Sequence, residues 1–160
     1  LGDKTGETVN LAVPRGGSVI TVAQVDSSYL LGATSWIGLD LPTHCTSTGK
    51  VFYACGRLPL PEGDLEARTE HSLTSAAELR RQFPAILRRG YAVAREELEV
   101  GLVAIGAPVR ALGGSVVAAV SVTGPAARLT PQRTEEYGAL LAEEAHILSA
   151  LLGHSKEGAA

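Results

Sequence analysis

Residues 101–131, GLVAIGAPVRALGGSVVAAVSVTGPAARLTP, decide the fold. They read as two strands, 102–109 and 115–123, joined by a glycine-rich turn, with Thr130-Pro131 opening a helix. Side chains alternate faces along a strand. Ser121 and Thr123 therefore share a face with Val117 and Ala119, while Val116, Ala118, Val120 and Val122 make the other face wholly apolar. If Arg110 pairs with Ser115, Ala104 falls opposite Ser121 and Gly106 opposite Ala119. Small side chains at Ala104, Gly106 and Ala119 then leave room beside two hydroxyls. That pattern suits a small-molecule cavity. It equally suits a helix packed closely on the sheet, with the hydroxyls bonded to backbone.

Outward from this stretch, residues 8–13 (TVNLAV) and 18–25 (SVITVAQV) are rich in β-branched residues and flank Pro14-Arg15-Gly16-Gly17, which predicts an antiparallel hairpin. Residues 29–35 read as a weaker third strand, and 47–55 as a short helix. Thr74 or Ser75 caps a helix running to residue 89, with Leu79, Phe83, Ile86 and Leu87 inward and Gly90 as its stop. Residues 91–95 form a short strand. The terminal helix from Pro131 carries Leu140, Leu141, Ile147, Leu148, Leu151 and Leu152 at helical spacing, and Gly153 closes it. Strands joined by tight turns, without a helix between most of them, predict an α+β fold: an antiparallel sheet with helices packed on it.

The 160 residues, 45% of them hydrophobic, fit one globular domain. The net charge of −3 gives no pull toward nucleic acid or an anionic membrane. The only Lys/Arg clusters are the pairs Arg80-Arg81 and Arg88-Arg89, read as the solvated side of a helix. No apolar run is long enough to span a bilayer. Leu1 is not a natural start and no signal peptide precedes Gly2, so the sequence reads as a segment of a longer chain. Cys45 and Cys55 are too few for a disulfide scaffold and are read as reduced thiols of a cytoplasmic protein.

The segment His44-Cys45-Thr46-Ser47-Thr48-Gly49-Lys50 has the outline of a phosphate-binding loop. It lacks that motif's first glycine, and Val51 follows the lysine. What survives is a Ser/Thr-rich lead into a helix, whose first backbone amides suit electron-rich ligand atoms; ordinary N-capping is the plainer alternative. His44 and Cys45 are adjacent, but no further His or Cys stands at a ligand spacing, so no metal site is expected. The acidic run Arg95-Glu96-Glu97-Leu98-Glu99 has no complementary nucleophile or metal and reads as a solvated loop. Trp36 and Phe52 read as core or cavity walls.

The segments TGETVNLAV, LPTHCTSTGKVFYA, RRGYAV, APVRALGGSVVAAVSVTGPAARLTPQR and the helix ending LLG carry a family likeness. From residue 1 to about 153 the chain resembles the C-terminal effector-binding domain of IclR-type bacterial transcription regulators. The resemblance implies a GAF-like fold, a curved antiparallel sheet flanked by helices with a metabolite pocket on its concave side. It implies an effector-binding domain over 1–153, with 154–160 as a disordered tail. It also implies assembly as a homodimer or tetramer, and DNA contacted only through a winged helix-turn-helix domain preceding Leu1. No catalysis, cofactor or membrane partner is implied.

Carried onto this chain, the family's pocket falls on the backbone amides of Ser47 and Thr48, on the hydroxyls of Ser121 and Thr123, and on walls at Leu30, Ala33 and Leu41. Ala94 and Ala104 stand where relatives that bind small oxo- or hydroxy-acids carry an Asp and a Cys. This favours a larger, partly apolar effector, such as an aromatic or branched metabolite. Two alternatives are an enzyme acting through Cys45 or His44, and a dimerisation module with an empty pocket.

Overall fold

The computed structural model of the chain describes residues 1–30 and 35–154. A one-turn helix α1 (Gly2–Thr5) leads into β1 (Thr8–Arg15) and β2 (Ser18–Val25). A 3-10 turn (Thr43–Cys45) runs into α2 (Ser47–Ala54), and α3 (Ala76–Arg89) follows. The chain then forms β3 (Ala92–Arg95), β4 (Leu102–Arg110), β5 (Val116–Pro125) and α4 (Pro131–Leu151). The strands make one antiparallel sheet in the order β2-β1-β5-β4-β3, the α+β arrangement expected.

Helices cover both faces of the sheet. On one, Tyr137, Leu141 and Ala145 of α4 bury Val103, Ile105, Ala118, Val120 and Val122. On the other, Val51, Phe52 and Tyr53 of α2 and Leu79 and Ile86 of α3 pack on Ala92, Val116 and Ala119. The helix boundaries follow local chemistry. Ser75 caps α3 in a reciprocal box with Glu78, and Gly90 ends it in the left-handed conformation. The Thr130 hydroxyl accepts from the Arg133 amide at the start of α4, with Pro131 in the first turn.

Several expectations need correction. The β4–β5 register is shifted by two residues: Ala104 lies opposite Thr123 and Gly106 opposite Ser121, with a bulge at Val109/Arg110. A two-residue shift preserves which face each side chain takes. The bulge does not, and Val116 therefore joins the α2/α3 core rather than that of Ala118. Of residues 29–35, Tyr29 and Leu30 form a bend, not a strand, and 31–34 lie outside the described residues. Residues 155–160 of the expected tail also lie outside them.

Leu87 is 55% exposed. On α4 the buried face is Thr134, Tyr137, Gly138, Leu141, Ala145 and Ser149, whereas Ile147, Leu151 and Leu152 are exposed. Close approach decides this. A β-carbon at Gly138 would lie 2.4 Å from the Tyr91 ring. The Ser149 hydroxyl takes the Arg110 amide and donates to the Ala145 carbonyl. Gly138, Ala145 and Ser149 join Tyr137 and Leu141 where the helix meets the sheet.

A candidate ligand cavity between the sheet and the start of helix α2

On the α2 face, a cavity with an empty volume of about 490 Å³, mouth included, is floored by all five strands. Ala94 comes from β3, Leu102 and Ala104 from β4, Ser121 and Thr123 from β5, Asn10 from β1 and Thr21 from β2. Thr46, Ser47 and Thr48 roof it, and Trp36, Leu41, Cys45 and Leu98 complete the wall. Pairing sets the lateral order: Ala94, Ala104 and Thr123 form one row, and Gly106, Ser121 and Asn10 the next. The β3/β4 end is thus methyl-lined, while the β5/β1/β2 end carries the hydroxyls and the carboxamide.

Two glycines bring the roof down. A β-carbon at Gly106 would sit 3.0 Å from the Ser47 backbone, so its absence lets α2 settle onto β4 beside Ser121. A β-carbon at Gly49 would sit 1.9 Å from the Thr43 carbonyl oxygen, where the 3-10 turn folds against α2. The Thr46 hydroxyl caps the helix by accepting from the Gly49 amide at 3.0 Å, and the Lys50 amide bonds the Thr46 carbonyl. The amides of Ser47 and Thr48 are left without a partner among the described residues, and both residues line the cavity. The Ser121 and Thr123 hydroxyls likewise bond to no described residue. This departs from the backbone-bonded alternative weighed from the sequence.

Ser47, Thr48, Ser121, Thr123, Ala94, Ala104 and Leu41 therefore come together around one space. Leu30 does not: it is fully exposed. The chain after β2 is tied to α1, because the Ser28 amide and the Ser27 and Ser28 hydroxyls all bond the Gly6 carbonyl. Ala33 lies outside the described residues. The segment returns along β2 instead, bridging Ile37 to Thr21, and contributes Trp36 to the wall. Asn10, Thr21, Thr46, Leu98 and Leu102 had not been singled out from the sequence. The alternation of β1 and β2 could have placed Asn10 and Thr21; nothing local marks the two leucines.

Beside the cavity lies an ion pair that the sequence reading missed. Lys50 is fully buried, and its ammonium donates to Glu97 at 2.5 Å, Gln82 at 2.9 Å and the Val93 carbonyl at 3.1 Å. The 95–99 run is thus not a solvated loop: Glu97 is only 7% exposed. Burial pushes the Lys50 ammonium down and the Glu97 carboxyl up from their ordinary values, and each partner opposes the other's shift. The pair ties α2, α3 and β3 to the loop that carries Leu98. Burial also raises the Cys45 thiol, which keeps it protonated, and the His44 Nε2 is engaged with the Glu66 carbonyl at 2.9 Å.

The remaining residues of SVTGPAARLT serve the scaffold. A β-carbon at Gly124 would lie 2.4 Å from the buried Glu7 carboxylate, which Arg128 grips through two bonds of 2.6 and 2.7 Å. Leu129 is fully buried and Thr130 caps α4. The same ten residues therefore present two hydroxyls to the cavity and clamp β5 to the start of β1.

Known proteins share this architecture. Residues 1–150 match the family described as bacterial transcriptional regulator IclR C-terminal. The chain is 32% identical to the HTH-type transcriptional repressor AllR of Klebsiella pneumoniae and 31% identical to that of Escherichia coli K12, in each case over 93% of its length. It spans 57% of the length of those regulators. Among solved structures, it superposes on the Thermotoga maritima IclR with a TM-score of 0.82 at 30% identity, covering 95% of this chain and 64% of that one. On the C-terminal domain of E. coli KdgR the TM-score is 0.78 at 27% identity, covering 96% and 92%. A two-sided helix–sheet fold, a cavity under α2 and a family match along nearly the whole length converge: the chain belongs to the IclR family of bacterial transcriptional regulators, as its C-terminal domain.

Proposed function

We propose that this domain, residues 1–153, binds a small-molecule effector in the cavity and passes the binding energy on to DNA binding by an N-terminal helix-turn-helix domain of the full regulator. The observation that carries the reading is the cavity itself. Hydroxyls and helix-start amides line it without partners among the described residues, set among apolar side chains as small-molecule sites are. A ligand shifts the regulator only if it favours one arrangement of subunits over another. Among the described residues the lining contains no charged side chain. With Ala94 and Ala104 at one end, it suits an aromatic or branched metabolite held at one polar end by Ser121, Thr123 and the amides of Ser47 and Thr48.

Sensing rather than turnover is supported by the Cys45 thiol, held protonated by burial, and by the engagement of His44 with backbone. Isothermal calorimetry on the double variant Ser121→Ala/Thr123→Val tests the site. Each lost hydrogen bond is expected to weaken effector binding by about 0.5–1.5 kcal/mol while the melting temperature of the free domain stays close to that of the parent. Unchanged affinity would move the site elsewhere. Tighter binding of glyoxylate- or pyruvate-sized acids than of aromatic or branched acids would overturn the effector class.

The domain is also expected to assemble with itself. Leu112, Ile147, Leu151 and Leu152 are exposed, and Gly153 brings Leu112 against the end of α4. An apolar patch of this kind calls for a covering partner. Sedimentation at micromolar concentration should show a dimer or larger species, and a clean monomer would remove the assembly role.

A further inference from the structure

Trp36 has an unusual position in the cavity wall. Its backbone is pinned to β2: its amide bonds the Gln24 side chain at 3.0 Å, the Gly38 amide bonds the Thr21 carbonyl, and Ile37 pairs with Thr21. The indole Nε1–H is nonetheless buried with no hydrogen-bond partner. An indole N–H donates and cannot accept. Buried donors in folded proteins are nearly always satisfied, so an orphan donor on a side chain that lines the cavity calls for an acceptor supplied from outside the chain. Trp36, Leu41 and Leu98 also border a second, outer groove lined by Arg68, Thr69, Glu99 and Val100. Trp36 therefore stands at the neck between the outer groove and the inner cavity.

We propose that Trp36 is a ligand-contacting, specificity-determining residue whose indole N–H donates to an acceptor on the polar head of the effector. This rests on the effector reading above and narrows the ligand class. The amides of Ser47 and Thr48 and the Trp36 indole are all donors, so the head carries acceptors on two sides: a carboxylate, a carboxamide or a keto group. The apolar tail lies under Ala94, Ala104, Leu98 and Leu102.

Trp36 is the one tryptophan of the chain, so its emission reports occupancy directly. The probes are phenylacetate, phenylacetamide and ethylbenzene, which share a ring and differ in the acceptor. The first two are expected to bind, to change the tryptophan emission of the parent protein and, by calorimetry on both proteins, to weaken roughly three- to tenfold in Trp36→Phe, which keeps a ring and loses the N–H. Ethylbenzene binding should be unaltered by that substitution. Equal loss for all three probes would show a packing role and overturn the proposal, as would no loss at all or no emission change in the parent protein. If Ser121→Ala/Thr123→Val weakens the acceptor probes while Trp36→Phe does not, this inference fails and the effector site stands. If neither variant alters binding, or no probe binds, both fail.

Discussion

Replacing Lys50 with methionine is expected to cost about 3–5 kcal/mol of stability, the toll for stripping one partner from a buried ion pair. Such a loss is a large part of the 5–15 kcal/mol that holds a typical domain together. The methionine fills similar space but leaves three acceptors behind, the buried Glu97 and the half-buried Gln82 and Val93 carbonyl, around a site with no exposure of its own. Urea unfolding at neutral pH measures the loss. Adding Glu97→Leu to Lys50→Met should restore part of it, because a buried carboxylate without its cation is worse than no carboxylate.

The pH dependence has a definite sign. In Lys50→Met, the raised Glu97 carboxyl loses the cation that held it down, so its folded value rises further above the ordinary 4.5. The folded state then binds more protons than the unfolded one between those two values. Stability therefore increases as pH falls through that window, and the deficit of the variant narrows in acid. A deficit independent of pH would mean that Glu97 is not left charged and buried. Because Leu98 follows Glu97 and lines the cavity, the variant should also lose affinity for any ligand bound there.

Gly49→Ala is the second large effect, and two forces of opposite sign compete in it. Alanine in place of glycine within a helix ordinarily stabilises by about 1 kcal/mol. Here the new methyl would meet the Thr43 carbonyl oxygen at 1.9 Å. That carbonyl cannot turn aside freely, since it accepts from the Thr46 amide at 3.2 Å and from the Thr46 hydroxyl at 3.0 Å. Relief requires the 3-10 turn and α2 to separate, which opens the Thr46 cap and moves the amides of Ser47 and Thr48. The clash is expected to prevail, with a net loss of about 1–3 kcal/mol and weaker ligand binding. Thermal unfolding and calorimetry measure the two effects. An alanine variant as stable as the parent would show that turn and helix are not packed this closely.

The chain's patterns were strongest where one local rule governs. Alternation in residues 115–123 placed Ser121 and Thr123 on one face whatever the register, because a slip of two residues conserves facing. A cap at Thr74 or Ser75, the Gly90 stop and the Thr130-Pro131 start of α4 were legible for the same reason, each being set by bonds within a few residues; the structure chose Ser75 and added the reciprocal bond from Glu78. Long-range packing was not legible. Nothing local says that Lys50 and Glu97, in stretches read as a helix and a solvated loop, share a dry contact. Nothing local ranks Gly138 above Ile147 as the buried side of α4, because depth there depends on the Tyr91 ring arriving from the sheet. Trp36 rather than Leu30 reaches the cavity because the Gly6 carbonyl captures the chain after β2 and sends it back along the strand edge. The sequence by itself determined strands β1 to β5, helices α2 to α4, the start of α4 and the hydroxyl face, since these depend on neighbours in the chain. Only the tertiary structure decided the bulge at Arg110, the buried ion pair and the wall of the cavity, since each depends on atoms brought together from distant strands and helices.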